Sequence, residues 1–266
     1  MGAVQVGQAE ALLAQGVVPD LLIGASAGSV NAAYLAADPT LRGAAALRGL
    51  WMGTSRRQVF PFSPVTATLG LLGRRDHTVD NQALTRWLEQ HLPYRQIEEA
   101  RLGLTVTATD LRSGDAAFFS QGSLIPALLA SCAMRGVFPP VVIGGRVLVD
   151  GGLAADAPIG RAITLGATRV YVLRTLPPDL PERSTGAAQL LLRALGVTFG
   201  AARRREIESW ADRCDIYLVP APSTPAISPF SFRCGGALMD AAAWLTTTWL
   251  RGARPVKSAS GPILRP

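Results

Sequence analysis

Two short runs of this 266-residue sequence hold side chains able to do covalent chemistry together. Gly24-Ala25-Ser26-Ala27-Gly28 fits the pattern G-x-S-x-G and stands between the apolar run Leu21-Leu22-Ile23 and a helix-forming stretch, Ser29 to Ala36. A serine on a tight strand-to-helix turn takes a strained backbone, and small neighbours two residues to either side let the chain pass close by. The free N–H groups and positive dipole end of the following helix favour an anion beside Ser26. Read otherwise, the run is a glycine-rich connector or a phosphate cradle without catalysis. It contains no lysine and lacks the G-K-[ST] ending, which argues against a P-loop.

A serine nucleophile needs a base. The sequence has two histidines, His77 and His91, and none after them. An α/β-hydrolase triad places its histidine last, behind the acid, so a triad of that order is absent. Both histidines stand among polar helix-forming residues and are expected at the surface. A carboxylate remains. Val147-Leu148-Val149 is a short apolar run ending at Asp150, and Gly151-Gly152 lets the backbone turn at once. This puts an acid at a strand end, where the active sites of open sheets gather. Alone, Asp150 is an ordinary turn aspartate; with Ser26 it becomes a candidate proton acceptor.

The elements that must position these groups are legible from period and punctuation. Gln5 to Gln15 has a helical pattern ended by Gly16, and Asp20 to Gly24 reads as a short buried strand. Buried strands are expected at Leu104 to Thr109, Arg169 to Leu173 and Asp215 to Val219. Helical segments are expected near Asn81 to Gln90, Ile125 to Cys132, Pro158 to Leu165 and Ala187 to Ala194. Such alternation argues for an α/β protein with a largely parallel sheet covered on both faces. There is no internal repeat and no domain linker, and Lys257 to Pro266 reads as a fraying tail. Phe60 to Gly73 is apolar, contains two prolines, and is bracketed by Arg56-Arg57 and Arg74-Arg75. It fits either a mobile cap that touches lipid or a partly buried loop wrapped over the core.

Composition narrows the function classes. Hydrophobic residues make up 48% and charged ones 17%, which excludes disorder for most of the chain. No run approaches the roughly 18 uninterrupted apolar residues of a membrane span. Met1 to Glu10 lacks the features of a signal peptide, and the three cysteines form no C-x-x-C pair, so a reducing cytoplasm is the expected location. The net charge is +7 and Lys257 is the single lysine. The excess of arginine fits attraction to anionic surfaces or GC-rich coding; the arginines are dispersed, so nucleic acid is not an expected partner.

Several blocks together resemble the patatin-like phospholipases, lipid acyl hydrolases that work with a Ser–Asp dyad. They are Gly24 to Gly28, the stretch from Ala130-Ser131-Cys132-Ala133-Met134 to Val137-Phe138-Pro139-Pro140, and Asp150-Gly151-Gly152 followed by Ala157-Pro158-Ile159. Val4-Gln5-Val6-Gly7 and Thr107-Ala108-Thr109-Asp110-Leu111 also look like the family. The resemblance implies Ser26 as nucleophile and Asp150 as proton acceptor. Gly2, Gly24, Ala27, Gly28, Gly151 and Gly152 would be motif and oxyanion positions. It also implies a three-layer α/β/α fold with a mostly parallel sheet, one domain over residues 1–250 and a flexible tail over 251–266. No metal or organic cofactor is implied. The implied partner is a lipid or phospholipid substrate, at an anionic membrane surface.

In that family a glycine-rich loop, commonly G-G-G-x-x-G, precedes the Val4-Gln5-Val6-Gly7 segment. Here Gly2 alone corresponds to it, and the first strand is missing. The expectation is therefore an N-terminally truncated chain with an incomplete oxyanion site, and loss of one oxyanion donor costs about 100- to 1,000-fold in turnover. The alternatives are a catalytically impaired relative that binds lipid or protein, and a general esterase of short acyl chains.

Overall fold

The computed structural model describes residues 2–61, 63–175, 187–223, 232 and 234–256. Helix α1 (Gly2–Ala14) leads into strand β1 (Leu21–Ala25), and Ser26 alone separates that strand from α2 (Ala27–Ala37). Helices α3 (Leu41–Gly53), α4 (Arg56–Val59), α5 (Pro64–Leu71) and α6 (Gln82–His91) follow before the chain returns to the sheet. Strands β2 (Gly103–Asp110) and β3 (Ala116–Phe119) form a hairpin. Helix α7 (Leu124–Ser131) then precedes a second hairpin, β4 (Val141–Ile143) and β5 (Arg146–Asp150). The remaining elements are α8 (Ile159–Thr164), β6 (Arg169–Leu173), α9 (Ala187–Trp210), β7 (Asp215–Val219) and α10 (Gly235–Leu250).

Strand β2 organises the sheet. It runs parallel to β1, with Ala25 opposite Thr107, and antiparallel to β3, with Ala108 opposite Ala117. It is also antiparallel to β5, with Ala108 opposite Asp150. A strand residue has two hydrogen-bonding edges. Val106 faces both Gly24 and Phe119, and Ala108 faces both Ala117 and Asp150, so β1 and β5 must lie along the one edge of β2 that β3 leaves free. They approach from opposite ends and stop opposite the neighbouring residues Thr107 and Ala108. Strands β6 and β7 form a separate parallel ladder, and among the described residues no strand pairs with the second edge of β1.

The layered α/β class expected from the alternation is what forms. Parallel pairing joins β1 to β2 and β6 to β7, while β3, β4 and β5 add antiparallel pairing around β2. The main core lies between β1, β2 and helices α2, α6 and α7, and is built on Val30, Ala33, Leu88, Leu104, Val106, Leu124 and Leu128. A smaller core of Ile159, Val172, Ile207 and Ile216 packs the β6–β7 ladder. Gln8, fully buried on α1, ties the parts together: its Nε2 donates to the carbonyls of Arg174 and Pro220, just past the ends of β6 and β7 (2.9 and 2.8 Å). Arg48 of α3 adds a bridge between Glu10 of α1 and Asp240 of α10 (2.6 and 2.8 Å).

Of the stretch 251–266 expected as a flexible tail, Val256 is tied down: its N–H donates to the Ile216 carbonyl at 2.8 Å. Residues 257–266 lie outside the described residues. The described residues of the segment from Phe60 to Gly73 are partly buried, as one of the two expectations had it, but they are not all loop. The segment holds α5, capped by Ser63, whose Oγ accepts the Thr66 N–H.

Candidate functional site

The end-to-end meeting of β1 and β5 is where the two candidate residues lie. Ser26 has φ 53° and ψ −133° and is the one non-glycine residue with positive φ among the described residues. Such a conformation costs on the order of 1–3 kcal/mol and persists only where its surroundings hold it. Three hydrogen bonds do so. Its N–H donates to Ser131 Oγ (2.9 Å), and its carbonyl accepts from the N–H and the hydroxyl of Ser29 (2.9 and 2.6 Å). Of the two motif glycines, Gly24 is a steric requirement. A Cβ on Gly24 would fall 2.4 Å from the Gly28 carbonyl oxygen, because the first turn of α2 crosses directly over the strand end. At Gly28 the nearest neighbour is the Gln5 amide, 3.2 Å away.

Asp150 ends β5 and is 8% exposed. Its Oδ1 accepts the Gly152 N–H at 2.9 Å, and the Ser26 side chain lies near enough to favour the charged carboxylate. Burial raises the Asp150 pKa above the ordinary carboxylate value, and the nearby Asp156 charge adds to the rise; the Ser26 side chain and the Gly152 bond pull against it. A buried carboxylate in this balance is a stronger base than a free aspartate. Gly151 is required by contact, since a Cβ there would sit 2.1 Å from the Thr107 carbonyl oxygen.

The structure thus brings together Ser26, Asp150, Gly24, Ala27, Gly28, Gly151 and Gly152. Gly2, at the start of α1, joins them: a Cβ on it would fall 3.2 Å from the Ala27 Cβ and 2.3 Å from the Trp51 ring. The first turn of α1 is locked to α2 by Asn31, whose Nδ2 donates to the Gly2 carbonyl and to Gln5 Oε1, both at 3.0 Å, while its Oδ1 accepts from Trp51 Nε1 at 2.7 Å. The histidines are bonded elsewhere. His77 Nδ1 donates to Asp76 (2.6 Å) and His91 Nδ1 to the Trp87 carbonyl (2.7 Å). The expectation that both are surface groups needs correcting for His77, whose side chain is 13% exposed because the turn after α5 folds it against the protein.

Residue-type reasoning gave no role to Ser131, which is fully buried. Its hydroxyl donates to the Thr107 carbonyl at 2.6 Å while accepting the Ser26 N–H, and so fastens the nucleophile turn to β2. The signal available was its place in the Ala130 to Met134 block. Asp156 was also passed over. It is paired with Arg203 of α9, and burial raises its pKa. Cys132 lies close to Asp150, but burial and that carboxylate push its thiol pKa up, so it stays protonated and does not compete as a nucleophile. Among the described residues no group of His, Cys, Asp and Glu could hold a metal ion.

Residues 1–163 match the family model of the patatin-like phospholipases. The chain belongs to the patatin-like phospholipase family. It is 40% identical over 63 residues to an uncharacterised NTE family protein of Mycobacterium tuberculosis, covering 24% of this chain and 18% of that protein. A second uncharacterised NTE family protein of the same organism is 28% identical over 237 residues, covering 77% of this chain and 38% of that one. Among solved structures, VipD from Legionella pneumophila matches at 13% identity and a TM-score of 0.41, over 94% of this chain and 64% of that chain. This patatin-like chain therefore spans 18–38% of the length of the curated relatives it matches. Patatin-like phospholipases are in general lipid acyl hydrolases.

Proposed function

We propose that this chain is a serine hydrolase that cleaves fatty-acyl esters of lipids through Ser26 and Asp150, by way of an acyl-enzyme. Ser26 Oγ attacks the ester carbonyl while its proton passes to the Asp150 carboxylate. Collapse of the tetrahedral adduct breaks the bond to the alkoxy oxygen, and the alcohol leaves with the proton from Asp150. Water, deprotonated by the same carboxylate, then attacks the acyl-serine and releases the fatty acid, returning the proton to Ser26. The Ala27 N–H, at the start of α2, is the candidate donor to the oxyanion, aided by the positive end of that helix.

The observation that supports this reading is a strained Ser26 and a buried Asp150 at the tips of two strands that meet opposite Thr107 and Ala108 of β2. Backbone strain of this kind clusters at active sites, where the surrounding structure holds it in place. The test compares the protein with its Ser26→Ala and Asp150→Asn variants on p-nitrophenyl acyl esters of increasing chain length. Both variants are expected to lose turnover by about 1,000-fold or more, as for removal of a nucleophile or its base. Near-parental turnover in either variant would refute the assignment. A rate that rises with chain length separates a lipid hydrolase from an esterase of short acyl groups.

A further inference from the structure

The segment joining α3 to α6 presents charged and apolar side chains that the chemistry above does not use. Arg56 and Arg57 open α4, Arg74 and Arg75 follow α5, and all four are exposed. None of the ion pairs among the described residues includes them. The acids on the same segment are engaged: Asp76 accepts from His77, and Asp80 accepts the Gln82 N–H at 2.8 Å. Between the two arginine pairs stand exposed aliphatic side chains, Val65 (69%) and Leu72 (63%), with Met52 at the end of α3 (64%).

The opposite side of this segment is firmly seated. Val59 is buried, and the Phe60 ring stacks on Phe138 with centroids 5.1 Å apart. Gly70 lies so close to the chain beyond α5 that a Cβ on it would be 2.3 Å from the His77 carbonyl oxygen. Thr78 and Val79 both donate their N–H groups to the Val137 carbonyl (3.2 and 2.8 Å), and the Thr78 hydroxyl donates to the Gly136 carbonyl at 2.7 Å. The loop receiving these bonds is the one whose Ala133 carbonyl accepts the Asp150 N–H at 3.0 Å. One short loop thus supports α5 on one side and the candidate acid on the other.

We propose that α4, α5 and their flanking arginines form the surface that docks this protein on an anionic phospholipid bilayer, beside the Ser26–Asp150 site. The occupant follows from the chemistry presented. Cations on α4 and just after α5 pair with lipid phosphates while Val65, Leu72 and Met52 enter the headgroup–acyl boundary. Pairing with nucleic-acid phosphates would leave Val65, Leu72 and Met52, the large apolar side chains exposed here among the described residues, in water, whereas the acyl boundary takes them up. The proposal gives a place of docking to the lipid-hydrolase reading and rests on that reading for its purpose.

The test is vesicle co-sedimentation of the Ser26→Ala protein, which leaves the lipid intact, on pure phosphatidylcholine and on phosphatidylcholine mixed with phosphatidylglycerol. Binding is expected on the mixed vesicles, weakened by salt. Each arginine at an anionic surface is worth about fivefold in partitioning, so Arg56→Gln, Arg57→Gln, Arg74→Gln and Arg75→Gln together lower it by roughly 100-fold or more. Val65→Ser with Leu72→Ser lowers it independently of salt. Arg251→Gln with Arg254→Gln is the control: these exposed residues follow α10, whose 16 residues place them about 24 Å from the end that meets Met52.

Partitioning of the fourfold variant within twofold of its parent, or an equal loss in the control, would overturn the proposal, as would equal binding to neutral and mixed vesicles. The two readings fail separately. A protein that hydrolyses soluble esters but sediments regardless of these arginines refutes the docking surface and leaves the hydrolase. One that sediments as expected but hydrolyses nothing refutes the hydrolase and leaves the surface.

Discussion

Ser131→Ala is the sharpest perturbation of the Ser26 turn that leaves both proposed reacting groups in place. It removes one hydroxyl and with it two buried hydrogen bonds, from the Ser26 N–H (2.9 Å) and to the Thr107 carbonyl (2.6 Å). A buried hydrogen bond contributes about 1 kcal/mol net, and a buried polar group left without a partner costs about 1–3 kcal/mol, so the loss should be roughly 2–4 kcal/mol. With a urea dependence near 3 kcal/mol/M, the unfolding midpoint falls by about 1 M. The effect on activity has a separate cause. Ser26 is held at φ 53° by three hydrogen bonds against a strain of similar size, and removing one lets the backbone relax and carries Oγ away from Asp150. We expect kcat to drop about 10- to 100-fold, as for a misplaced nucleophile, with KM little changed. Urea denaturation read by circular dichroism and ester hydrolysis on the same preparation supply both numbers. A variant with parental midpoint and parental kcat would show that the hydroxyl bridge holds nothing.

Two further predictions follow from the same geometry. Because Ser26 occupies a backbone region open to glycine, Ser26→Gly should be at least as stable as Ser26→Ala, by about 1 kcal/mol, reversing the usual ranking of these residues; thermal melts of the two variants decide it. Asp150, whose folded pKa is raised, favours the folded state less as pH climbs from the unfolded carboxylate value through the folded one. Asp150→Asn should therefore be inactive yet gain stability over the parent between pH 4 and pH 7 (about the span from a free aspartate's value to neutrality), and the acid limb of kcat/KM in the parent should lie above the ordinary aspartate value. A stability difference that does not change with pH would contradict the burial argument.

Much of the frame was readable because its signals are local. Arg169–Leu173 and Asp215–Val219 are strands with the bounds expected from their apolar runs, and the helices flanking Ser26 follow directly from period and glycine punctuation. That Ser26 and Asp150 would lie together came from motif types, and the resemblance to patatin-like phospholipases is matched by the family model. Helix α3 escaped notice because Gly43, Gly49 and Gly53 lower its helical character. Its Thr40 cap and the tight approach of Gly43 to the Asp38 carbonyl oxygen, 1.8 Å from a hypothetical Cβ, are tertiary facts. In α10 the run Trp244 to Trp249 has strand-like residues, and contact with α1, where Met239 crowds Gly7, overrides that preference. Strand β4 had a signal that was passed over: Gly144-Gly145, both at positive φ, form a two-residue turn between β4 and β5. The bridging hydroxyl of Ser131 could not be read from spacing, since it depends on α7 lying across the junction of three strands.

That junction also sets when the protein can act. The two candidate groups stand at the tips of strands that abut along one edge of β2, so neither is placed until residues 21–25, 103–110 and 146–150 have all found their register. A nascent chain that has reached only α6 has its serine but no opposing carboxylate and no edge to hold the turn. On the proposed function, synthesis and refolding intermediates would be inert, and the recovery of ester hydrolysis would report the closing of the most distant contacts rather than the first collapse of the chain.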